Sequence, residues 1–131
     1  MTRRGTPEAD LQRAVVQALR VALPRTAIIH HSANEVSERG PRGARRQAIL
    51  VGMGVHAGFA DLIVISSGRV LFLEVKSQTG RLRKSQEIFR DTVVTQGFGW
   101  AMVRSVDDAL GALADHGFTS RVQLPARRAA P

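Results

Sequence analysis

Apolar and polar positions along this chain change their period several times, and each change marks an element. Leu11, Val15, Ala18, Leu19 and Ala22 recur at helical spacing. Thr6-Pro7-Glu8 ahead of them reads as a helix start: a capping hydroxyl, a proline in the first turn and an acid beside it. Pro24 ends that helix. Residues 27–31 (Ala-Ile-Ile-His-His) read as a short strand. The Gly- and Arg-rich stretch from Ser37 to Arg46 is expected to be a mobile basic loop, and Ala44 to Met53 a helix closed by Gly54. Two apolar, β-branched runs, Leu62 to Ile65 and Val70 to Leu73, then flank Ser67-Gly68, which is a strong hairpin signal. Leu82, Gln86, Phe89 and Val93 describe an amphipathic helix over about 82–96, stopped by Gly97. Gly99 to Arg104 reads as a strand, and Ser105-x-x-Asp108 opens a last helix running to about His116. A helix between two strands makes a crossover, so the last strand is expected to lie parallel in the sheet. Residues 1–5 are expected to fray, 6–118 to form one α/β domain, and 119–131 to form a disordered basic tail.

The hairpin places chemistry at one end. With Ser67-Gly68 as the two loop residues, Ser66 pairs with Arg69, and counting outward sets Asp61 opposite Glu74. Opposed side chains have Cβ atoms about 4.5–5.5 Å apart, where like charges destabilise a sheet. Side chains alternate faces, so Lys76 projects on the same face as Glu74. Two carboxylates and an ammonium therefore converge at one end of an apolar hairpin. A hard divalent cation, Mg²⁺ or Mn²⁺, is the simplest physical reason to hold such a pair together. An isolated Glu-x-Lys is common and proves little. The hairpin count, the Gly-x-x-Asp lead-in and the basic helix that follows strengthen it together.

Composition narrows the partner. A formal net charge of +8 in 131 residues points to a phosphate backbone and to binding that weakens with salt. Of the 19 basic residues, 17 are Arg, so part of that charge is a coding bias; the same bias makes Lys76, one of only two lysines, more telling. Arg42, Arg45 and Arg46 before the hairpin, with Arg81, Arg83 and Lys84 after it, are the expected phosphate-binding rim. Zero cysteines exclude disulfides, thiolate zinc sites and thiol nucleophiles, and suit a reducing cytoplasm. No apolar stretch approaches the ~20 residues of a membrane span. Aromatics at 5% argue against a single-strand binder that works by base stacking. His30 and His31 point to opposite faces of one strand and cannot chelate together.

These residues together resemble the VRR-NUC (virus-type replication-repair nuclease) domain of the PD-(D/E)xK superfamily. The resemblance runs from Glu8 to about Leu113. It is carried by Glu8 and Gln12, by Gly54-Val55-x-x-Gly58-Phe59-Ala60-Asp61-Leu62, by Glu74-Val75-Lys76, by Gly80-x-Leu82-x-x-x-Gln86, and by Val103-Arg104-Ser105. The family's proline before the aspartate is Ala60 here. The resemblance implies a restriction-endonuclease-like αβββαβ core, with a mixed central sheet flanked by helices. It implies a metal held by Asp61, Glu74 and the Val75 carbonyl, with Lys76 orienting or helping to deprotonate the attacking water. Glu8 would complete the acidic cluster, directly or through a water, and Gln86 would lie near the site. It further implies a homodimeric Mg²⁺-dependent endonuclease acting on branched or four-way-junction DNA, cytoplasmic and nucleoid-associated, bacterial or phage-encoded. Two rivals share the pattern: another nuclease of the superfamily (restriction-type or archaeal-type junction resolvase), and a non-catalytic basic DNA-binding module. For the dimer surface the candidates are Phe98, Trp100 and Met102, or the face of the final helix formed by Val106, Leu110 and Leu113.

Overall fold

The computed structural model describes residues 6–33 and 40–127. The expected frayed residues 1–5, part of the expected basic loop, and the last four residues lie outside them. In chain order the elements are α1 (Pro7–Ala22), β1 (Ile28–His31), α2 (Gly40–Gly52), β2 (Leu62–Ser66), β3 (Arg69–Val75), α3 (Lys84–Thr95), β4 (Gly99–Val103) and α4 (Val106–Asp115). The strands form one sheet in the order β1-β2-β3-β4. The β1–β2 and β2–β3 pairs are antiparallel, whereas β4 lies parallel to β3 after the α3 crossover. This is the expected mixed α/β sheet with an αβββαβ core. The α2 helix is inserted between the first two strands and α4 is appended.

Local chemistry explains most element ends. The Thr6 hydroxyl accepts from the Ala9 amide, and the Ser105 hydroxyl accepts from the Asp108 amide, so each fills one bond that a helix start leaves open. One start differs from expectation. Gly40 to Gly43, expected as loop, form the first turn of α2, ahead of the helix expected from Ala44. Pro41 is tolerated in a first turn, and Arg and Ala are good helix formers, so the glycines lowered helical propensity without abolishing it. Arg42, Arg45 and Arg46 are therefore exposed residues of a helix and not of a mobile loop. α3 starts at Lys84, two residues later than expected, because Arg83 is extended and serves as its N-cap.

The sheet separates two apolar layers. On one face Val15, Leu19 and Ala22 of α1 and Ala109, Ala112 and Leu113 of α4 pack against Leu62, Val64, Leu71, Leu73, Val75 and Val103. On the other face Phe89 and Val93 of α3 pack with Ala60, Phe59, Phe72 and Trp100. Ala60, where the family pattern has proline, is wholly buried there. Leu113 is wholly buried, and Val106 and Leu110 pack on the first core, so the final helix spends its apolar face inside the subunit. Of the expected dimer surfaces, Phe98 is exposed and Trp100 and Met102 are half-buried. His116, at the end of α4, is held below the ordinary imidazole range by burial, against the opposing pull of Asp115.

Residues 119–127 form no helix or strand, yet they are not a loose tail throughout. The Arg121 amide and the Ser120 hydroxyl both donate to the Ala22 carbonyl, and Leu124 packs against the first core. Both bonds cover one open carbonyl at the end of α1, which charge and proline content along the tail do not reveal. Among the described residues no helix is long and apolar enough to cross a membrane.

Candidate active site

Ser67 and Gly68 both have positive φ, 52° and 76°, which is the two-residue turn whose twist suits a hairpin. The register follows from it: Ser66 pairs with Arg69, and the ladder runs outward to Leu62 opposite Leu73. One further step sets Asp61 against Glu74. There the main-chain ladder gives way to a side chain, because the Val75 amide donates to Asp61 Oδ2 at 2.8 Å. The Asp61 carbonyl accepts from the Ser32 amide, and the Lys76 amide donates to the Val103 carbonyl. Asp61 is thus held by β3 through its side chain and by the end of β1 through its main chain.

The charged groups at this end are buried: Asp61 is 8% exposed, Glu74 1% and Lys76 6%. Taking such ions out of water costs several kcal/mol each unless they are partnered. Glu74 Oε1 accepts from Gln86 Nε2 at 2.8 Å and stands 3.8 Å from the Lys76 ammonium. Gln86 is itself locked. Its Oε1 accepts from the Arg83 amide at 2.8 Å, the helix-start bond of a capping box, while its amide group reaches Glu74. One side chain therefore both starts α3 and orients a carboxylate 12 residues earlier. Arg83, whose amide makes the helix-start bond, and Lys84 are exposed at the start of α3.

Two glycines allow these approaches. A Cβ on Gly58 would lie 2.1 Å from the Ser85 carbonyl oxygen, so the loop before Asp61 and the first turn of α3 meet backbone to backbone. A Cβ on Gly80 would lie 3.1 Å from both Glu8 Oε1 and Ser77 Oγ, and 3.4 Å from Lys76 Cδ. Glu8, in the first turn of α1, thus comes to the Lys76 side of the site. Its Oε1 lies 3.4 Å from the Ser77 amide, which donates to it. Among the described residues no three His, Asp or Glu side chains stand close enough together to hold an ion. Asp61 and Glu74 form a pair, and Glu8 flanks it.

The structure brings together Asp61, Glu74, Val75, Lys76 and Gln86, with Glu8 at the margin. Arg81, exposed, lies just before the cap of α3. Arg42, Arg45 and Arg46 lie on α2, whose only buried residue is Gly43. His56 is turned toward the Ala57 carbonyl at 2.9 Å and sits edge-on to Phe89. Sequence reasoning gave Ser77 and Arg104 no role. The Arg104 guanidinium donates to the Ser77 carbonyl across 27 residues of chain, a distance that no local spacing reveals.

Two opposed carboxylates and a neighbouring carbonyl are hard oxygen donors of the kind that Mg²⁺ or Mn²⁺ takes with its waters and substrate phosphates. The residues present fit such an ion. No family model matches the sequence, and no curated protein does. Among solved structures the fold is shared with a VRR_NUC domain protein. The TM-score is 0.60 at 21% identity, over 87% of this chain and 90% of that one. The resemblance drawn from the motifs thus has a counterpart in the whole arrangement of helices and strands.

Proposed function

We propose that this chain is a divalent-metal-dependent DNA endonuclease of the PD-(D/E)xK type. The observation that carries it is the buried opposition of Asp61 and Glu74, with Lys76 beside them, in a fold shared with a VRR_NUC domain protein. A Mg²⁺ or Mn²⁺ held by Asp61, Glu74 and the Val75 carbonyl would polarise a phosphate oxygen and lower the pKa of a bound water. The remaining work falls to side chains. Lys76 orients the water that attacks phosphorus in line: the water oxygen bonds to phosphorus as the opposite P–O bond breaks, the water's proton passes to solvent, and the leaving oxygen takes up a proton from solvent. Gln86 keeps the Glu74 carboxylate aimed into the site, and Glu8 takes part from the Lys76 side. Arg81, Arg83 and Lys84, with Arg42, Arg45 and Arg46, hold backbone phosphates. The substrate is branched or four-way-junction DNA, and the acting species is a homodimer in the cytoplasm. A two-fold axis supplies paired incisions where one small subunit offers a single site.

Asp61→Asn and Glu74→Gln test the assignment, because each keeps an oxygen for the Val75 amide or the Gln86 amide while losing the charge. Both variants should stay folded and bind junction DNA in Ca²⁺ at least as tightly as wild type. Their cleavage in Mg²⁺ should fall by about 10³-fold or more, the equivalent of several kcal/mol of lost stabilisation. Wild-type turnover in either variant would refute the site.

A further inference from the structure

Arg104 follows β4, where the parallel register pairs Glu74 with Met102 and Val75 with Val103. One more step along both chains sets Arg104 beside Lys76. Two cations side by side on one sheet face repel, and the Arg104 side chain does not remain there as a free charge. Its Nη1 donates to the Ser77 carbonyl, and its Nη2 lies 3.8 Å from Met102 Sδ. Its main chain is tied separately: the amide donates to Asp108 Oδ2 at 2.9 Å, and the carbonyl accepts from Gln78 Nε2 at 3.1 Å. The side chain is therefore spent on the residue that follows Lys76.

Ser77 passes that hold to the site. Its amide donates to Glu8 Oε1, and its hydroxyl and carbonyl both accept from the Gly80 amide, at 3.1 and 3.2 Å. Gly80 is the point at which Glu8, Ser77 and the Lys76 stem crowd together. We infer that Arg104 is a positioning residue: by fixing the Ser77 peptide it sets the Glu8 carboxylate and the Lys76 side chain in their working relation. This rests on the nuclease reading of the same site. A planar fork that spans a carbonyl and a sulfur suits arginine, whereas lysine offers one compact ammonium.

The test compares the full chain with Arg104→Gln, Arg104→Lys, Glu8→Gln and Arg104→Gln combined with Glu8→Gln. Single-turnover cleavage of junction DNA in Mg²⁺ and affinity in Ca²⁺ are measured for each. Arg104→Gln should slow the chemical step by about 10- to 100-fold, the scale of a misplacement near 1 Å, with affinity within about twofold because one cation of many is a small part of the footprint. Arg104→Lys should fall between wild type and Arg104→Gln. The double variant should be no slower than the slower single variant, because both act through Ser77. Independently of cleavage, the Ser77 and Gly80 amides should exchange with solvent at least tenfold faster in Arg104→Gln, reporting a loosened loop.

A loss confined to affinity would make Arg104 a phosphate contact and overturn the inference. Losses in Arg104→Gln and Glu8→Gln that multiply, or unchanged amide exchange, would overturn it as well. A wild type that cleaves beside an Arg104→Gln of equal rate refutes the inference alone. A wild type that cleaves no DNA with Mg²⁺ or Mn²⁺ refutes the nuclease reading, and the inference falls with it.

Discussion

Gly58→Ala is expected to be the most damaging single-methyl change in the loop that leads to Asp61. Gly58 has a φ of +74°, and its added Cβ would meet the Ser85 carbonyl oxygen at 2.1 Å, the Ser85 carbonyl carbon at 2.3 Å and the Gln86 amide at 2.7 Å. All three are backbone atoms, so no rotamer change relieves the clash. Ordinary contact begins at about 3.4 Å, so the two segments must part by roughly 1.3 Å. The left-handed backbone costs about 1 kcal/mol for a residue with a Cβ, and forcing packed backbones apart adds about 2 kcal/mol. The sum, about 3 kcal/mol, corresponds to a drop in Tm of about 12 °C for a domain of this size. Gly97→Ala is the control, because Gly97 has a φ of +92° and open space around its Cβ. It should lose only the backbone part, about 1 kcal/mol. Urea unfolding of the two variants against wild type, with equal m-values, isolates the contact. Displacing Ser85 also displaces Gln86, whose bond to Glu74 is 2.8 Å long, so cleavage by the folded fraction should fall by up to about 100-fold. Equal stability losses in the two variants would refute the reasoning, since the close approach would then contribute nothing.

Two further outcomes are expected. Replacing Arg42, Arg45 and Arg46 together by Ala should weaken DNA binding on all sequences alike and reduce the slope of log K against log salt by about one per lost phosphate contact; an unchanged slope would show that this face of α2 meets solvent and not DNA. Light scattering at micromolar concentration should give twice the monomer mass, and a monomer would remove the argument for paired incision of a junction.

What the chain carried openly was local. The hairpin register depends on a two-residue turn and on alternation over five residues, so Asp61 opposite Glu74, with Lys76 two positions on, follows from counting alone. Thr6 and Ser105 sit three residues from the amides they cap, and the parallel placement of β4 follows from a helix separating two strands. The start of α2 departs from expectation for a local reason too: glycine and proline lower helical propensity, but a first turn tolerates both.

The support around the carboxylates belongs to tertiary structure. Gln86 was visible as a polar residue on a helix, but its double bond to the Arg83 amide and to Glu74 exists only because Gly58 lets the first turn of α3 close on the loop before Asp61. Glu8 reaches the site across 69 residues of chain, and Arg104 reaches Ser77 across 27. Single polar residues carry no periodic signal, and their partners are chosen by packing. The sequence by itself determined which groups could do chemistry and on which face of the hairpin they stand. Only the packing of α1, α3 and the end of β4 around that hairpin decided which neighbours hold them, because a contact between distant segments is a property of the closed fold and not of spacing along the chain.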